Sequence, residues 1–358
     1  MQKIDGQNSQ SQFKAEMTRR SNEEHIGYVD FCRWVATFMV VLCHTLTAIG
    51  RQYETYSLTQ NEANVYMALS RLTNWAVPAF LMMSGLLYLN PSKKTDYDYL
   101  LKKPIKRIFL ALVIFGIPMC ILEALVVNVG RIEQGKLVYD ALATWIAGET
   151  WDHMWYLYMF MGLLMIVPLI KEFIIRASDW DAVCLIVILF VFTSIIPTLN
   201  FMGISIGFYI PITSVYPLYF ILGYYLEYRV DFSKIHTQWL LITVSVLGGL
   251  LFLRQYLFSA IEVKYADPLQ VLYAVSVFCL IKKLNIHCRI LTRHQNLCFS
   301  IYLLHPFFLN VSYKLLRCSP ATCGVYTTPL LFAICFFVLS VVAARLLMLV
   351  PFLKKHVL

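Results

Sequence analysis

The stretch YVDFCRWVATFMVVLCHTLTAI, residues 28–49, decides how the rest of this chain is interpreted. It is an apolar run of about 20 residues, long enough to cross a bilayer as a helix. The run nevertheless contains Arg33 and His44, eleven residues apart. At about 100° per residue that spacing is three turns plus about 20°, so both side chains lie on one face, on the order of 16 Å apart along the axis. We therefore expect the first helix to carry a polar line through the membrane.

The composition is that of a polytopic membrane protein. Hydrophobic residues make up 59% of the chain and charged residues only 14%, and apolar runs recur along nearly its whole length. Residues 1–27 are polar and rich in Gln and Ser, which predicts a flexible cytoplasmic tail. The net charge of +9 would suit a nucleic-acid partner, but most basic residues lie in short segments between apolar runs, where they set helix orientation. We therefore expect no nucleic-acid partner.

The apolar runs predict an all-α bundle of about ten transmembrane helices. The predicted spans are residues 28–49, 64–89, 105–129, 153–170, 180–199, 211–228, 238–258, 267–283, 297–316 and 327–352. Lys and Arg are concentrated in alternate connecting segments, and the positive-inside rule then predicts that both termini are cytoplasmic. The apolar run at residues 137–146 is too short to span and is predicted to lie at the outer interface.

The second span carries another cation at membrane depth. Arg71 is predicted to lie at nearly the depth of His44, and an ionisable group there normally faces the bundle interior or a wet cavity. The alternative is a structural ion pair between Arg71 and Glu123 of the third span. Further along the second span, Ser84 and Gly85 form a step where another backbone or a ligand can come close.

The ninth span places two polar side chains on one helical face. Tyr302 and His305 are separated by one turn, and either a structural hydrogen bond or a role in a site explains them equally well. Proline residues leave a helical carbonyl without its usual donor in two spans, and Pro78 predicts a kink or a ligand site. Pro78 frees the carbonyl of Asn74, and Pro306 frees the carbonyl of Tyr302.

A basic cluster precedes the third span on the predicted inner surface. Lys102, Lys106 and Arg107 belong to it, within a segment predicted to be a loop that leads into the helix. Helix orientation and binding of anionic lipid explain such a cluster. The alternative is a site for a polyanionic cytoplasmic cofactor.

An aromatic group opens the fourth span on the predicted outer side. Trp155 and Tyr156 follow His153 there. They are typical of an interfacial aromatic belt. The same side chains would also stack on sugars beside an outer cavity, and both interpretations stay open.

Four stretches, in their order and approximate spacing, resemble the membrane acyltransferase-3 family. They are the Arg33-x10-His44 pattern, VPAFLMMSGLLY at 77–88, MWYLYMFMGLLMIVPL at 154–169 and FSIYLLHP at 299–306. The sequence departs from the family at residues 81–83, where Leu-Met-Met stands in place of the usual Phe-Phe. Residues 28–358 would form one acyltransferase-3 transmembrane domain. Its size resembles the stand-alone members that O-acetylate surface polysaccharides, including the enterobacterial common antigen type.

The resemblance implies an enzyme of the inner (cytoplasmic) membrane. Such an enzyme moves an acyl group, here expected to be acetyl, from cytoplasmic acyl-CoA to a hydroxyl of a surface glycan or of its lipid-linked precursor. Acetyl-CoA would be a co-substrate, with no permanently bound cofactor and no metal. The expected partners are membrane lipid, acyl-CoA and the glycan acceptor.

The residues singled out above receive roles in this hypothesis. His44 is the general base, Arg71 stabilises the oxyanion, and Tyr302 and His305 orient His44 or the thioester. Arg33 is also a catalytic candidate. The donor-binding candidates are Arg33, Ser84, Lys102, Lys106 and Arg107. The candidates that bind the acceptor are His153, Trp155 and Tyr156.

Two other functional classes also fit a bundle with buried cations. The first is a transporter or flippase for a polysaccharide intermediate or an acyl group, which would likewise hold Arg and His at membrane depth. The second is a binding subunit of a polysaccharide synthase in which His44 is only structural. Transfer of labelled acetyl to glycan discriminates the enzyme from the transporter, and survival of function in His44→Gln would support the binding subunit.

Overall fold

The computed structural model describes residues 27–51, 54–55, 57–127, 134–151, 153–258 and 264–358. Every regular element in these ranges is a helix, which confirms the predicted all-α fold. Within the described residues, each of the predicted spans contains one helix or parts of two consecutive helices. The predicted N-terminal tail lies, except for Gly27, outside the described residues, and so does Asp152 beside the fourth span.

The helices are numbered here in chain order. They are α1 (Gly27–Arg51), α2 (Gln60–Thr73), α3 (Ala76–Tyr88), α4 (97–127), α5 (Gln134–Ala147), α6 (Trp155–Arg176), α7 (Asp179–Phe201), α8 (Tyr216–Tyr228), α9 (Thr237–Phe258), α10 (Pro268–Leu284), α11 (Leu297–Asn310, continued by a π turn at Val311–Leu315), α12 (Pro329–Leu347) and α13 (Pro351–His356).

Six of these helices are long and apolar enough to cross a membrane. They are α1, α4, α6, α7, α9 and α12. The other predicted spans contain shorter helices, such as α8 with 13 residues and α10 with 17 residues. The structure therefore supports a multi-pass membrane protein, while the count of ten spans and the cytoplasmic termini stay predictions.

The third span begins earlier than the sequence predicted. Residues 97–104 were predicted as part of a loop, but α4 already starts at Tyr97. The carboxylate of Asp96 accepts a hydrogen bond from the backbone N–H of Tyr99 at 3.0 Å, and this N-cap stabilises the first turn. Pro104 is accommodated in a π turn, Leu101–Ile105, because proline cannot donate to the helical ladder. The basic cluster therefore lies on a helix.

The second predicted span is broken into two helices, as Pro78 predicted. Helix α2 ends at Thr73 and α3 begins at Ala76. Asn74 and Trp75 form the connection, and both side chains are buried. Because Pro78 has no N–H, the carbonyl of Asn74 loses its usual helical partner, and the helix is interrupted there.

Contacts divide the chain into two compact units. The first comprises the residues up to Lys94, Ile170–Gln295 and Ser319–Ala333, and the second comprises Thr95–Leu169, Asn296–Cys318 and Ile334–Leu358. In the first unit, α1 packs against α2, α3 and α10, while α9 packs against α2 and α10. In the second unit, α5 packs against α4, where the indole N–H of Trp145 donates to the carbonyl of Leu112 at 2.9 Å.

Candidate functional site

Arg33 is held at its end of α1 by two oxygen acceptors. Its Nη1 donates to the carboxylate of Asp30 at 3.1 Å and to the side-chain oxygen of Gln295. The Asp30 side chain is only 3% exposed and that of Arg33 22% exposed. A charge at this depth needs such compensation, because removing it from water is costly. Arg33 is therefore a partly buried cation held by two oxygen acceptors.

The polar line continues along α1 from Arg33. The hydroxyl of Thr37 is buried and donates to the carbonyl of Arg33 at 2.7 Å. The indole N–H of Trp34 donates to the carbonyl of Leu291 at 2.9 Å, which ties this end of α1 to the short helical turn before α11. His44 lies eleven residues further along and is half-buried.

His44 lies beside the connection between α2 and α3. Its neighbour Cys43 donates from Sγ to the side-chain oxygen of Asn74 at 3.3 Å, so the level of His44 on α1 is also the level of this connection. The positive charges of Lys264 and Arg51 act on His44. His44 therefore lies near two cationic side chains, at the end of α1 opposite to Arg33.

Arg71 lies on α2, one turn before Asn74. Its Nε donates to the side-chain oxygen of Gln255 on α9 at 2.8 Å, and Gln255 is buried. The adjacent residue, Arg254, forms an ion pair with Asp267, in which Nη1 donates to Oδ1 at 3.1 Å. Asp267 is only 1% exposed. Two guanidinium groups are thus held in defined orientations at the same end of the first unit.

A buried tyrosine, Tyr265, lies near this polar region. Tyr265 lies in the 3-10 turn Lys264–Ala266 between α9 and α10. Burial, with a smaller contribution from nearby Cys43, raises the pKa of Tyr265 well above its usual range. Tyr265 therefore stays protonated at neutral pH. Its backbone carbonyl accepts from the hydroxyl of Tyr219 at 2.7 Å, which fixes the turn.

Glu123, the predicted structural partner of Arg71, has a different contact in its own unit. Both of its carboxylate oxygens accept from Lys314 Nζ, at 3.0 and 3.2 Å. Both side chains are 40–47% exposed, so this pair contributes little to stability. In the first unit, the neutral side chain of Gln255 contacts Arg71, for which the sequence had suggested a carboxylate partner.

The second unit gathers the aromatic and histidine candidates. The His153 ring packs edge-on against the rings of Tyr302 and His305, with centroids 5.2 and 5.5 Å away. The Tyr302 hydroxyl donates to the backbone carbonyl of His153. Tyr156 contacts Tyr302 at 6.2 Å and Trp155 at 6.1 Å between centroids. Five candidates from two distant segments therefore form one cluster.

Both histidines of this cluster are deeply buried, whereas side chains at the open mouth of a cavity would be exposed. His153 is 2% exposed and His305 is fully buried. His305 Nδ1 lies 3.1 Å from the carbonyl of Ile301, and because a carbonyl can only accept, Nδ1 carries the proton of this hydrogen bond. In the neutral ring, Nε2 is then the basic nitrogen.

The basic cluster of α4 divides into exposed and engaged members. Lys102 pairs with Asp98 at 2.6 Å, with both side chains more than two thirds exposed, and Lys106 is exposed. Arg107 instead donates to the main-chain oxygens of Val357 and Leu358 at 2.9 and 2.6 Å. Its guanidinium also lies over the Phe299 ring, 5.0 Å from the centroid. Lys102 and Lys106 are therefore exposed, whereas Arg107 already has main-chain acceptors.

Ser84 is half-buried on α3 beside a close helix crossing. A Cβ at the next residue, Gly85, would collide with the carbonyl oxygen of Phe220 on α8. A Cβ at Gly223 would likewise collide with the carbonyl oxygen of Met82. The close approach predicted at this step is therefore between two helix backbones.

Sequence reasoning missed several members of the polar region in the first unit. Gln295 beside Arg33, and Arg254, Gln255 and Asp267 near Arg71, were not among the candidates. A signal was present, because Arg254 and Gln255 interrupt an apolar span and polar groups at membrane depth need partners. Three predicted site residues lie on the packed helices α1 and α2 of the first unit: Arg33, His44 and Arg71. The second unit contains the other eight of these candidates: Lys102, Lys106, Arg107, His153, Trp155, Tyr156, Tyr302 and His305.

The chain matches one protein family over most of its length. Residues 26–349 match the family model Acyl_transf_3, described as an acyltransferase domain. No curated protein and no solved structure matches the chain. The match includes the Arg33-to-His44 pattern, the connection between α2 and α3 and the cluster around His305.

Proposed function

This chain belongs to the acyltransferase-3 family and is a membrane acyltransferase, and we propose that it transfers an acetyl group from cytoplasmic acetyl-CoA to a hydroxyl of a surface glycan. The acceptor is either the glycan itself or its lipid-linked precursor. The proposed site is in the inner membrane, where the donor is supplied from one side and the acceptor is reached from the other.

The polar line on α1 carries this proposal. Arg33 is fixed by Asp30 and Gln295 at one end, and His44 lies eleven residues away, near the level of Arg71. At about 1.5 Å per residue the two ends are about 16 Å apart. A phosphopantetheine arm has a similar length, so a thioester can reach His44 while the nucleotide of CoA stays near Arg33.

The donor nucleotide is assigned to the basic residues of the predicted inner side. Lys102 and Lys106 are exposed and can bind phosphate oxygens by charge-assisted hydrogen bonds. Arg107 would have to exchange its main-chain acceptors at Val357 and Leu358 for phosphate oxygens. Arg33 would contact the inner part of the donor, and Ser84 would line its path.

The proposed chemistry is direct acyl transfer with His44 as the general base. His44 takes the proton of the acceptor hydroxyl while the oxygen attacks the thioester carbonyl, and Arg71 stabilises the negative charge on the tetrahedral intermediate. Collapse breaks the carbon–sulfur bond, and the CoA thiolate recovers the proton from His44. An acyl-histidine intermediate is the alternative covalent route. The orienting roles of Tyr302 and His305, and acceptor stacking by His153, Trp155 and Tyr156, stay predictions.

Replacement of the base tests this function. We expect His44→Ala to lower transfer of labelled acetyl from acetyl-CoA to glycan in isolated membranes by about 10²–10⁴-fold, because general-base catalysis typically contributes that much. The control is His236→Ala, which removes an exposed histidine at the start of α9. Both variants should accumulate in the membrane to the wild-type level. Normal acetylation by His44→Ala would refute the mechanism, and loss of glycan export without loss of acetylation would favour a transporter.

A further inference from the structure

Arg51, the last residue of α1, continues the polar line that begins at Arg33. It follows His44 by seven residues, and at about 100° per residue that spacing is two turns less about 20°, so Arg51 lies on the face of α1 that carries His44. Along the axis it lies about 10 Å beyond His44, on the side away from Arg33. Its side chain is exposed, and its positive charge acts on His44. The proposed mechanism has no role for this cation.

A second exposed cation, Lys264, reaches the same end of α1 from the turn between α9 and α10. Its Nζ lies over the ring of Tyr265, 5.3 Å from the centroid, and its charge also acts on His44. The buried Tyr265 is itself close to Arg51 and to Cys43, the neighbour of His44. Two exposed cations from distant segments therefore meet beyond His44.

Two further cations belong to this end of the first unit. Arg254 on α9 pairs with the buried carboxylate of Asp267. Arg71 donates to Gln255, the residue after Arg254, and the charge of Arg71 acts on Arg254. We call the four positive side chains the cationic cluster: Arg51, Arg71, Arg254 and Lys264.

Positive charge exceeds negative charge around the cationic cluster in the part of the chain that the structure describes. Asp267 is paired with Arg254, and the exposed Glu54 follows Arg51 by three residues. The segments that hold Arg51 and Lys264 are predicted to lie outside, where the positive-inside rule disfavours Lys and Arg. Helix orientation therefore does not explain the cluster, and the mutual repulsion of its cations favours an anion among them.

We infer that Arg51 and Lys264 bind an anionic group of the acceptor glycan, next to the sugar whose hydroxyl His44 deprotonates. The inference rests on the proposed function, which assigns the phosphates of the donor to the opposite end of α1, near Arg33. The anionic group is a carboxylate of an acidic sugar or a phosphate ester, and both accept charge-assisted hydrogen bonds from guanidinium and ammonium groups. The separation of about 10 Å between His44 and Arg51 along α1 leaves room for the reacting sugar.

Neutralising the two exposed cations tests this assignment. Full-length protein is reconstituted in phosphatidylcholine vesicles, with and without phosphatidylglycerol, and labelled acetyl-CoA is present on both sides of the bilayer. The acceptor is glycan, both polymer and lipid-linked precursor, purified from a strain that lacks this protein. We expect the double variant Arg51→Gln/Lys264→Gln to raise KM for the glycan by about tenfold or more, because hydrogen bonds from charged donors are lost. KM for acetyl-CoA should stay within about twofold of the wild-type value.

Modified acceptors identify the anionic group. Carboxyl reduction makes acidic sugars neutral and leaves phosphate esters, whereas hydrofluoric acid removes phosphate esters and leaves carboxylates. With the wild-type protein, the treatment that removes the bound group should raise KM for the glycan about as much as the double variant does. The same treatment should change the KM of the double variant by less than about twofold, because both changes remove one interaction.

Charge-preserving and distant substitutions are the controls. The double variant Arg51→Lys/Lys264→Arg keeps both charges, and its KM for the glycan should stay within about threefold of the wild-type value. Arg317→Gln removes an exposed cation from another segment predicted to face outside, and it should leave both KM values unchanged. All of these variants should keep the wild-type Tm, because exposed substitutions of this kind change stability little.

Each outcome bears on one of the two claims. An unchanged KM for the glycan in the neutralised variant, or an acetylated glycan without carboxylate or phosphate, would overturn the inference and leave the proposed function standing. A raised KM that appears only with phosphatidylglycerol would assign the cations to lipid headgroups, and a raised KM with a lowered Tm would make them structural; either result overturns the inference. If the wild-type protein transfers no label to any glycan, the proposed function itself fails.

Discussion

Arg33 shows how single residues keep a charge inside this bundle. An unpaired arginine at membrane depth costs a few kcal/mol or more, and a neutral partner alone compensates only part of that cost. Here Asp30 supplies the opposite charge from one turn earlier on the same helix, and Gln295 adds a neutral acceptor from a distant segment. Both acceptors restrict the guanidinium to one orientation, which suits a residue proposed to meet an anionic donor.

Arg71 tests the chemistry at the same scale. We expect Arg71→Lys to lower kcat by at least about tenfold, because an ammonium group cannot reproduce the directed N–H donors of guanidinium toward an oxyanion. The substitution also removes the Nε–H that donates to Gln255. KM for acetyl-CoA should stay close to the wild-type value. The measurement is steady-state acetyl transfer in proteoliposomes.

Arg176→Lys is the matched control for this substitution. Arg176 is 78% exposed at the end of α6 and pairs with nearby Glu172. Its replacement should leave kcat unchanged, because a surface pair of this kind contributes little. If Arg71→Lys keeps wild-type turnover, Arg71 is a structural residue and not an oxyanion donor.

At the scale of elements, the backbones of α3 and α8 approach each other closely where the two helices cross. Gly85 faces the carbonyl of Phe220, and Gly223 faces the carbonyl of Met82, so each helix offers a glycine to the backbone of the other. Small residues allow this approach, and in membranes helix association depends on such packing because apolar burial gives little preference for protein over lipid. The crossing holds α3, which continues from the connection at Asn74.

Gly85→Ala should therefore destabilise the protein. The added methyl group would meet the carbonyl of Phe220, and the helices would have to separate, which typically costs about 1–3 kcal/mol. Gly249→Ala is the control, because no atom lies within 4 Å of a Cβ at that position on α9 and alanine favours helix by about 1 kcal/mol. Thermal unfolding in detergent should show a lower Tm for Gly85→Ala only. Equal Tm values for the two variants would contradict a close backbone contact between α3 and α8.

At the scale of the whole molecule, hydropathy predicts the helices well. Each apolar run of about 20 residues is helical because a backbone in lipid must satisfy its hydrogen bonds internally. The same reasoning, with proline chemistry, predicts the break before Pro78. It fails at residues 97–104, where the cap at Asp96 starts α4 earlier than the apolar run does. Local capping competes there with the hydropathy boundary.

The site could be predicted only in part. Arg33 and His44 were found because they share one helix, and helical periodicity relates them directly. The partners of buried charges could not be found in that way. Gln255 is 184 positions from Arg71 and Gln295 is 262 positions from Arg33, so these pairs exist only once the helices have packed. A single sequence gives the cost of a buried charge but not the group that compensates it.

The predicted topology can be checked with native cysteines. Cys323 is exposed between α11 and α12, a segment predicted to face outside, and Cys288 lies between α10 and α11, a segment predicted to face the cytoplasm. The experiment uses two variants, in which Cys323 or Cys288 is the only cysteine left. We expect a membrane-impermeant maleimide to label the Cys323 variant in intact cells. Cys288 should react only after permeabilisation. Labelling of Cys288 in intact cells would reverse the predicted orientation.

Sided acetyl transfer tests the central claim most directly. Inverted membrane vesicles expose their cytoplasmic face, and labelled acetyl-CoA added outside them cannot cross the bilayer. We expect wild-type vesicles to place label on glycan in the protected lumen, and His44→Ala vesicles, with equal amounts of protein, to place about 10²–10⁴-fold less there. Equal lumenal label with His44→Ala, or wild-type label that appears only when acetyl-CoA is sealed in the lumen, would contradict it.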